Sequence, residues 1–190
     1  MTMFKNIILA SQSPRRVELL KQMGVDCVVM PANIDETALP NESPADYVLR
    51  LAAQKALAIV EKLPNSELPI LAADTTVALG NEIFGKPEND ADAFNMLKKL
   101  SGNTHQVHTA IAVAFNGKIE TALNSTQVEM MALTDAMIRK YIASAEHKDK
   151  AGSYAIQGLA GSWIKTVNGS YTGVMGLPLH ETALLLDRLA

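Results

Sequence analysis

A chain of 190 residues with 48% hydrophobic content can bury a proper core, and its length suits one folding unit, a single domain or two tightly joined lobes. A formal net charge of −3 and a pI of about 5.8 argue against nucleic-acid binding, which needs a basic face, but they leave room for a local basic pocket. Cys27 is the only cysteine, so no internal disulfide forms; there is no signal-peptide pattern and no apolar run of about 18 residues, and the expectation is a cytoplasmic chain with no membrane partner.

Lys5 to Ala10 reads as a buried strand that feeds Leu9-Ala10-Ser11-Gln12-Ser13-Pro14-Arg15-Arg16. Ser13 suits an N-cap and Pro14 the first helical position, and Val17, Leu19, Leu20 and Met23 supply an apolar stripe up to a stop at Gly24. Arg15 and Arg16 thus fall in the first turn, the wrong end for cations because the helix N-terminus already carries about half a positive charge. An anion reverses that sign, and free N–H groups, hydroxyls and two guanidiniums together suit a di- or triphosphate. The alternative is a surface helix whose arginines pair with nearby carboxylates. Asp26 to Met30 follows as a second strand, and strand, helix, strand indicates an α/β chain. The adjacent carboxylates Asp35 and Glu36 lie in a loop, where a solvated turn competes with a ligand role.

Ser43 and Pro44 open a long helix to about Lys62, with Val48, Leu51, Ala52 and Ile59 on one stripe and Lys55 in its middle. A buried, unpaired ammonium is expensive, so Lys55 must snorkel or reach an anion. Leu68 to Ala73 reads as a strand ending at Asp74, a place where catalytic carboxylates occur. Thr75 to Leu79 and Glu82 to Lys86 then form a hairpin about Gly80-Asn81, a register that sets Lys86 opposite Thr75 and beside Asp74. A helix capped at Asn89 or Asp90 runs through Leu100. His105 to Phe115 and Lys118 to Met131 form a hairpin about Asn116-Gly117, with His105 and His108 on opposite faces and so poor partners for one metal ion. A helix from Thr134-Asp135 to about Ser144, a glycine-rich segment from Asp149 to Gly161, a strand pair about Asn168-Gly169 and a helix from Pro178 to Leu189 complete the chain. Gln157, in the glycine-rich segment, both donates and accepts, which suits a nucleobase edge or a loop cap.

In order along nearly the whole chain, Ser11 to Arg16, Ala73-Asp74-Thr75, Gly85-Lys86-Pro87, Leu100-Ser101-Gly102, Asp149-Lys150-Ala151-Gly152, Ile156-Gln157-Gly158 and Gly176-Leu177-Pro178 resemble the Maf (septum-formation inhibitor) proteins, a family of nucleoside triphosphate pyrophosphatases. Asp74-Thr75 and Ile156-Gln157-Gly158-Leu159 resemble the branch acting on dTTP and UTP; the branch acting on 7-methylguanosine triphosphate carries a Glu-containing segment there. The resemblance implies an α/β fold like that of Maf and inosine triphosphatase proteins, a mixed central sheet with flanking helices and two lobes around a nucleotide cleft, often as a homodimer. It also implies cleavage of the α–β phosphate bond by water, with Mg²⁺ or Mn²⁺, to give nucleoside monophosphate and pyrophosphate.

Matched motif by motif, the resemblance assigns Ser11, Arg15 and Arg16 to phosphate, Lys55 and Lys86 to added positive charge, and Asp74 to the proton acceptor. Glu36 matches an acidic position of the site, a metal ligand, and Arg15, Thr75 and Gln157 match positions associated with base choice; Glu36 and Asp74 as a carboxylate pair suit a hard cation. CTP and modified pyrimidine nucleotides are further candidate substrates. Gln12 stands where the family commonly has a glycine. A carboxylate at its ordinary pKa near 3.9 is a weak base alone, so a water acidified by the cation is the expected proton donor. The competing readings are a pyrophosphatase for modified purine triphosphates, a nucleotide-binding regulator of cell division, and an α/β binding module. The last leaves Lys55 and the paired arginines unexplained.

Overall fold

The computed structural model describes residues 4–190. Its frame is a mixed sheet of seven strands: β1 (Asn6–Leu9), β2 (Asp26–Val29), β3 (Ile70–Leu79), β4 (Glu82–Phe84), β5 (Thr104–Phe115), β6 (Lys118–Met130) and β7 (Ile164–Asn168). Their order is β2-β1-β3-β5-β6-β7, with β4 added to β3. β1 is parallel to β2 and β3, and the remaining pairings are antiparallel. The helices are α1 (Pro14–Gln22), α2 (Pro44–Lys62), α3 (Asp90–Leu100), α4 (Asp135–Ala143), α5 (Tyr171–Met175) and α6 (Leu179–Leu189). None is long and apolar enough to cross a membrane.

Most of these elements follow their local chemistry. The side chains of Ser43, Asn89 and Thr134 accept from the backbone N–H groups of Asp46, Asp92 and Met137, so each satisfies one orphan donor at its helix start. The β5–β6 hairpin turns on Asn116 (φ 49°) and Gly117 (φ 73°), the two left-handed residues that a type I′ turn requires. His105 and His108 project to opposite faces as alternation dictates: His105 meets Tyr154 Oη at 2.7 Å and His108 meets Ser125 Oγ at 2.8 Å.

Three expectations need correction. Asp74 does not close a strand, because β5 pairs with β3 continuously from Ile70 to Ala78 and carries the ladder past it. The β3–β4 register starts as expected with Leu79 opposite Glu82, but pairing stops at Val77 and Phe84, so Lys86 does not face Thr75. No strand pair forms about Asn168-Gly169. Beyond β7, Ser170 N–H donates to Thr126 Oγ1 at 2.8 Å, and Ser170 Oγ accepts from Gly173 N–H at 2.9 Å, which starts the short helix α5 instead.

The pairing of β3 creates the cleft. β1 occupies one edge of β3 at Ile70 and Leu71, and β4 occupies the same edge at Val77 to Leu79. Between them the edge of residues 72–76 has no ladder partner, because β5 lies on the other side. The apolar clusters part at the same place. Leu71 and Ala73 pack with β1, α1 and α6 on one face, Ile70 and Ala72 pack with α2 on the other, and Val77 belongs to a third cluster with α3 and α4. Asp74-Thr75-Thr76 is therefore a polar break in an otherwise buried strand, at the mouth of a gap in the sheet.

Candidate active site

The gap opens into a cleft of about 770 Å³. It is lined by every residue expected to form a site, Ser11, Arg15, Arg16, Glu36, Lys55, Asp74, Thr75, Lys86 and Gln157. Alternation along β3 sends Asp74 toward α2 and Thr75 toward α1. The missing ladder partner lets both faces reach one space.

On the α2 face, Lys55 Nζ sits 2.6 Å from Asp74 Oδ1 and 2.7 Å from Glu36 Oε1. The anion that Lys55 needs is thus supplied by the chain itself. The Asp74 side chain is only 10% exposed, and burial raises its pKa against the lowering effect of Lys55 and Arg16; Glu36 adds to the rise. Burial also works to raise Glu36, but the Lys55 hydrogen bond and the charges of Lys55, Lys86 and Arg16 outweigh it and hold that carboxyl below its ordinary value. Two neighbouring carboxyls are driven apart, which suits one to taking a proton and the other to staying ionised.

Glu36 reaches this place on a loop held to α2. Tyr47 Oη donates to Glu36 O at 3.0 Å, and Arg50 grips Glu42 through Nε and Nη2 at 2.6 and 2.7 Å while also donating to Thr37 O. Asp35 takes the ordinary turn role, accepting from Thr37 N–H and Oγ1. Of the adjacent acids, one shapes the loop and the other enters the site.

On the α1 face, Ser13 holds the N-cap position without a side-chain cap; its N–H donates instead to Ser11 Oγ at 3.2 Å. Arg16 is buried, and its Nη1, Nε and Nη2 donate to Ser11 Oγ, Gly176 O and Thr75 Oγ1 at 2.9, 2.7 and 3.2 Å. Arginine can only donate, so Thr75 must accept from it. Thr109 Oγ1 donates to Gly173 O at 2.8 Å, which leaves Thr75 as the donor in the 2.9 Å Thr75–Thr109 contact. The chain Arg16 to Thr75 to Thr109 to Gly173 ties α1, β3, β5 and α5 together. Burial lowers Arg16 to about 10, with Asp74 opposing and Arg15 adding to the fall, so it remains charged at neutral pH. Arg15 makes one weak contact, Nε to Met175 O at 3.4 Å, and faces the cleft.

The far wall carries residues that reading the sequence did not assign. Tyr154 lines the cleft beside Ile156 and Gln157, its hydroxyl fixed by His105, which burial lowers to about 4 and so keeps neutral. Lys148 and Lys150 also line it. The sequence signal here was the Asp149-Lys150-Ala151-Gly152 motif, which holds Lys150 but neither Lys148 nor Tyr154. Gly152 anchors this wall: its φ is +66°, its N–H donates to Gly85 O at 3.1 Å, and an added Cβ would lie 2.9 Å from Val77 Cβ. Gly152→Ala is expected to destabilise the fold by about 2–4 kcal/mol, from left-handed backbone strain plus overpacking. Urea unfolding of G152A and of G152A/V77A checks it, and the second change should recover the packing share.

A family model described as Maf-like protein matches residues 6–189. A Methylobacillus flagellatus protein named dTTP/UTP pyrophosphatase is 53% identical over 180 residues, covering 95% of this chain and 90% of its own. A Haemophilus ducreyi protein named nucleoside triphosphate pyrophosphatase is 45% identical over 190 residues, covering 98% and 96%. The solved structure of the Staphylococcus aureus Ham1 protein overlaps 66% of this chain and 72% of its own with a TM-score of 0.48 at 16% identity. The match across the sequence and the identity to these relatives place the chain in the Maf family.

Proposed function

We propose that the chain is a nucleoside triphosphate pyrophosphatase that hydrolyses dTTP and UTP to the nucleoside monophosphate and pyrophosphate. The observation that carries this reading is the buried Asp74, held by Lys55 and raised in pKa inside a cleft that Arg15, Arg16, Lys86 and Lys150 also line. The names of close relatives support the substrate class. CTP and modified pyrimidine nucleotides fall within the same reading. A cytoplasmic homodimer is part of it, following the family resemblance and the lone Cys27.

In the mechanism, Asp74 takes the proton of the attacking water. Lys55 engages Asp74 through Oδ1, which orients the carboxylate and leaves Oδ2 for the proton. Burial gives Asp74 more basicity than a free carboxylate has, and a base gains efficiency as its pKa approaches the working pH. Arg16, immobilised by three acceptors, supplies fixed positive charge that needs no reorganisation as charge develops on the phosphates. Ser11 is held by Arg16 at the same place. Arg15 and Lys86 also line the cleft and add positive charge to it.

The donor set also fits a hard divalent cation. Among the described residues no cluster of three or more His, Cys, Asp or Glu side chains gathers, but Glu36 and Asp74 converge on Lys55 within 2.7 Å. Such an ion is commonly held by one or two carboxylates, with substrate phosphates and waters completing its shell. Glu36, kept ionised, and Asp74 would hold Mg²⁺ or Mn²⁺, which supplies charge neutralisation at the scissile phosphate when bound.

Base choice falls to Gln157, Arg15 and Thr75. The Thr75 hydroxyl is already shared between Arg16 and Thr109, which leaves its methyl group to meet the base. Gln157 is exposed and free to pair with a pyrimidine edge. A panel of nucleoside triphosphates incubated with the enzyme and Mg²⁺ or Mn²⁺ tests the reading. dTTP and UTP should be turned over at least tenfold more efficiently than 7-methylguanosine triphosphate, a margin of about 1.4 kcal/mol in transition-state binding. Preference for the modified purine contradicts it.

A further inference from the structure

The cleft holds both paired and unpaired charge. Around Asp74 the charges cancel in pairs: Asp74 and Glu36 face Lys55, with Arg16 close enough to act on both carboxyls. Three further cations are placed differently. Arg15, Lys86 and Lys150 line the same space, and none of them forms an ion pair among the described residues. Lys150 Nζ donates only to Lys148 O at a long 3.3 Å. It is partly buried, and burial and the charge of Arg15 both lower its pKa against the opposing pull of Glu146 and Asp149. Asp149 lines the cleft beside them, but it forms no ion pair with any of the three, and cations gathered in one cleft without a salt-bridge partner are a standing cost that an anionic ligand removes.

The backbone shows that this placement is built. The segment behind Lys150 holds Ala145, Asp149 and Ser153 at φ 61°, 59° and 64°, left-handed values that residues with a Cβ adopt at a cost. The Gly152 N–H to Gly85 O bond locks the same turn to the residue before Lys86, so Lys86 and Lys150 are presented as one unit. Arg15 enters from the start of α1, whose N-cap side chain makes no cap bond.

We propose that Lys150, with Arg15 and Lys86, forms the seat of the leaving pyrophosphate, so that Lys150 contacts the β- and γ-phosphates while Asp74 acts at the α-phosphate. The inference rests on the pyrophosphatase reading and adds to it a residue and a subsite for the product. In the reaction, water adds its oxygen to the α-phosphorus, the bond to the bridging oxygen breaks, and the electron pair leaves on pyrophosphate. The cations at the seat neutralise the charge that grows there. The same cations bind the free product, so pyrophosphate is a ligand in its own right.

Calorimetric titration of the full chain with inorganic pyrophosphate at fixed free Mg²⁺ tests this without requiring turnover. Lys150→Gln should weaken binding by about ten- to hundredfold, the range for loss of a charge-assisted hydrogen bond. Lys150→Arg should retain most of the affinity, and both variants should bind dTMP within about twofold of the unchanged protein. In dTTP hydrolysis the Lys150→Gln loss should appear in kcat/KM, with kcat falling as well as KM rising. Unchanged pyrophosphate affinity in Lys150→Gln, or an equal loss for dTMP, overturns the assignment, as does a starting protein that binds no pyrophosphate. Failure of that protein to hydrolyse dTTP, with pyrophosphate binding and its Lys150 dependence intact, would instead reject the pyrophosphatase reading.

Discussion

Asp74→Asn is expected to lower kcat for dTTP by about 10²–10⁴-fold, the usual worth of a positioned general base, while leaving nucleotide affinity within a few-fold. The amide keeps the size of the carboxylate and an oxygen to accept from Lys55, so what is lost is the ability to take a proton. The stability effect should run the other way. The folded pKa of Asp74 lies above its unfolded value, so the native state binds more protons, and this group makes the fold less stable as pH rises from the unfolded pKa through the folded one. Asn has no charge to desolvate, and D74N should match or exceed the parent in thermal stability at neutral pH. The acid limb of kcat/KM should lie above the ordinary carboxylate pKa of about 3.9. Activity should fall as pH drops through that raised value. Stopped-assay kinetics and a melting curve on D74N, with a pH profile of the parent, check all three outcomes.

Lys55→Met should have the largest structural effect, because Lys55 is the counter-ion of two acids. Its side chain and that of Asp74 are 11% and 10% exposed, and removing one partner of a buried pair costs about 3–5 kcal/mol. Without Lys55, burial and the neighbouring Glu36 both push Asp74 further up, and its carboxylate loses the hydrogen bond that orients it. Two features separate this from a simple packing defect. The loss in unfolding free energy should be smaller at pH 5 than at pH 7, because acid favours the neutral form of the stranded Asp74. The double variant K55M/D74N should also be more stable than K55M alone, since it removes the stranded charge. Urea unfolding at both pH values measures each.

Much of this site was legible in the chain because its parts sit on regular elements. Lys55 stands out only against the apolar stripe of Val48, Leu51, Ala52 and Ile59, and the structure buries all five on one face of α2. Arg15 and Arg16 stand out against the helix start. Periodicity could not reveal what Lys55 pairs with, because Glu36 comes from an irregular loop that depends on Tyr47, Arg50 and Glu42, contacts made only after α2 is placed. The raised pKa of Asp74 was equally hidden: it follows from burial by the surrounding fold, and it supplies basicity that the isolated side chain lacks. The gap between β1 and β4 was missed because local signals favour continuing a strand or ending it, whereas the cleft arises from where two neighbours along one edge stop pairing. The strand expected after Gly169 failed for the opposite reason, since Ser170 is a stronger local cap than Asn168-Gly169 is a turn.

The central claim is that this cleft places Asp74 to direct water at the α–β phosphate bond. The measurement that tests it most directly is chromatography of the products after dTTP is incubated with the enzyme and Mg²⁺, with D74N run alongside. dTMP and pyrophosphate should appear in equal amounts, and almost none should come from D74N. Release of dTDP with inorganic phosphate, or near-parental turnover by D74N, would contradict it.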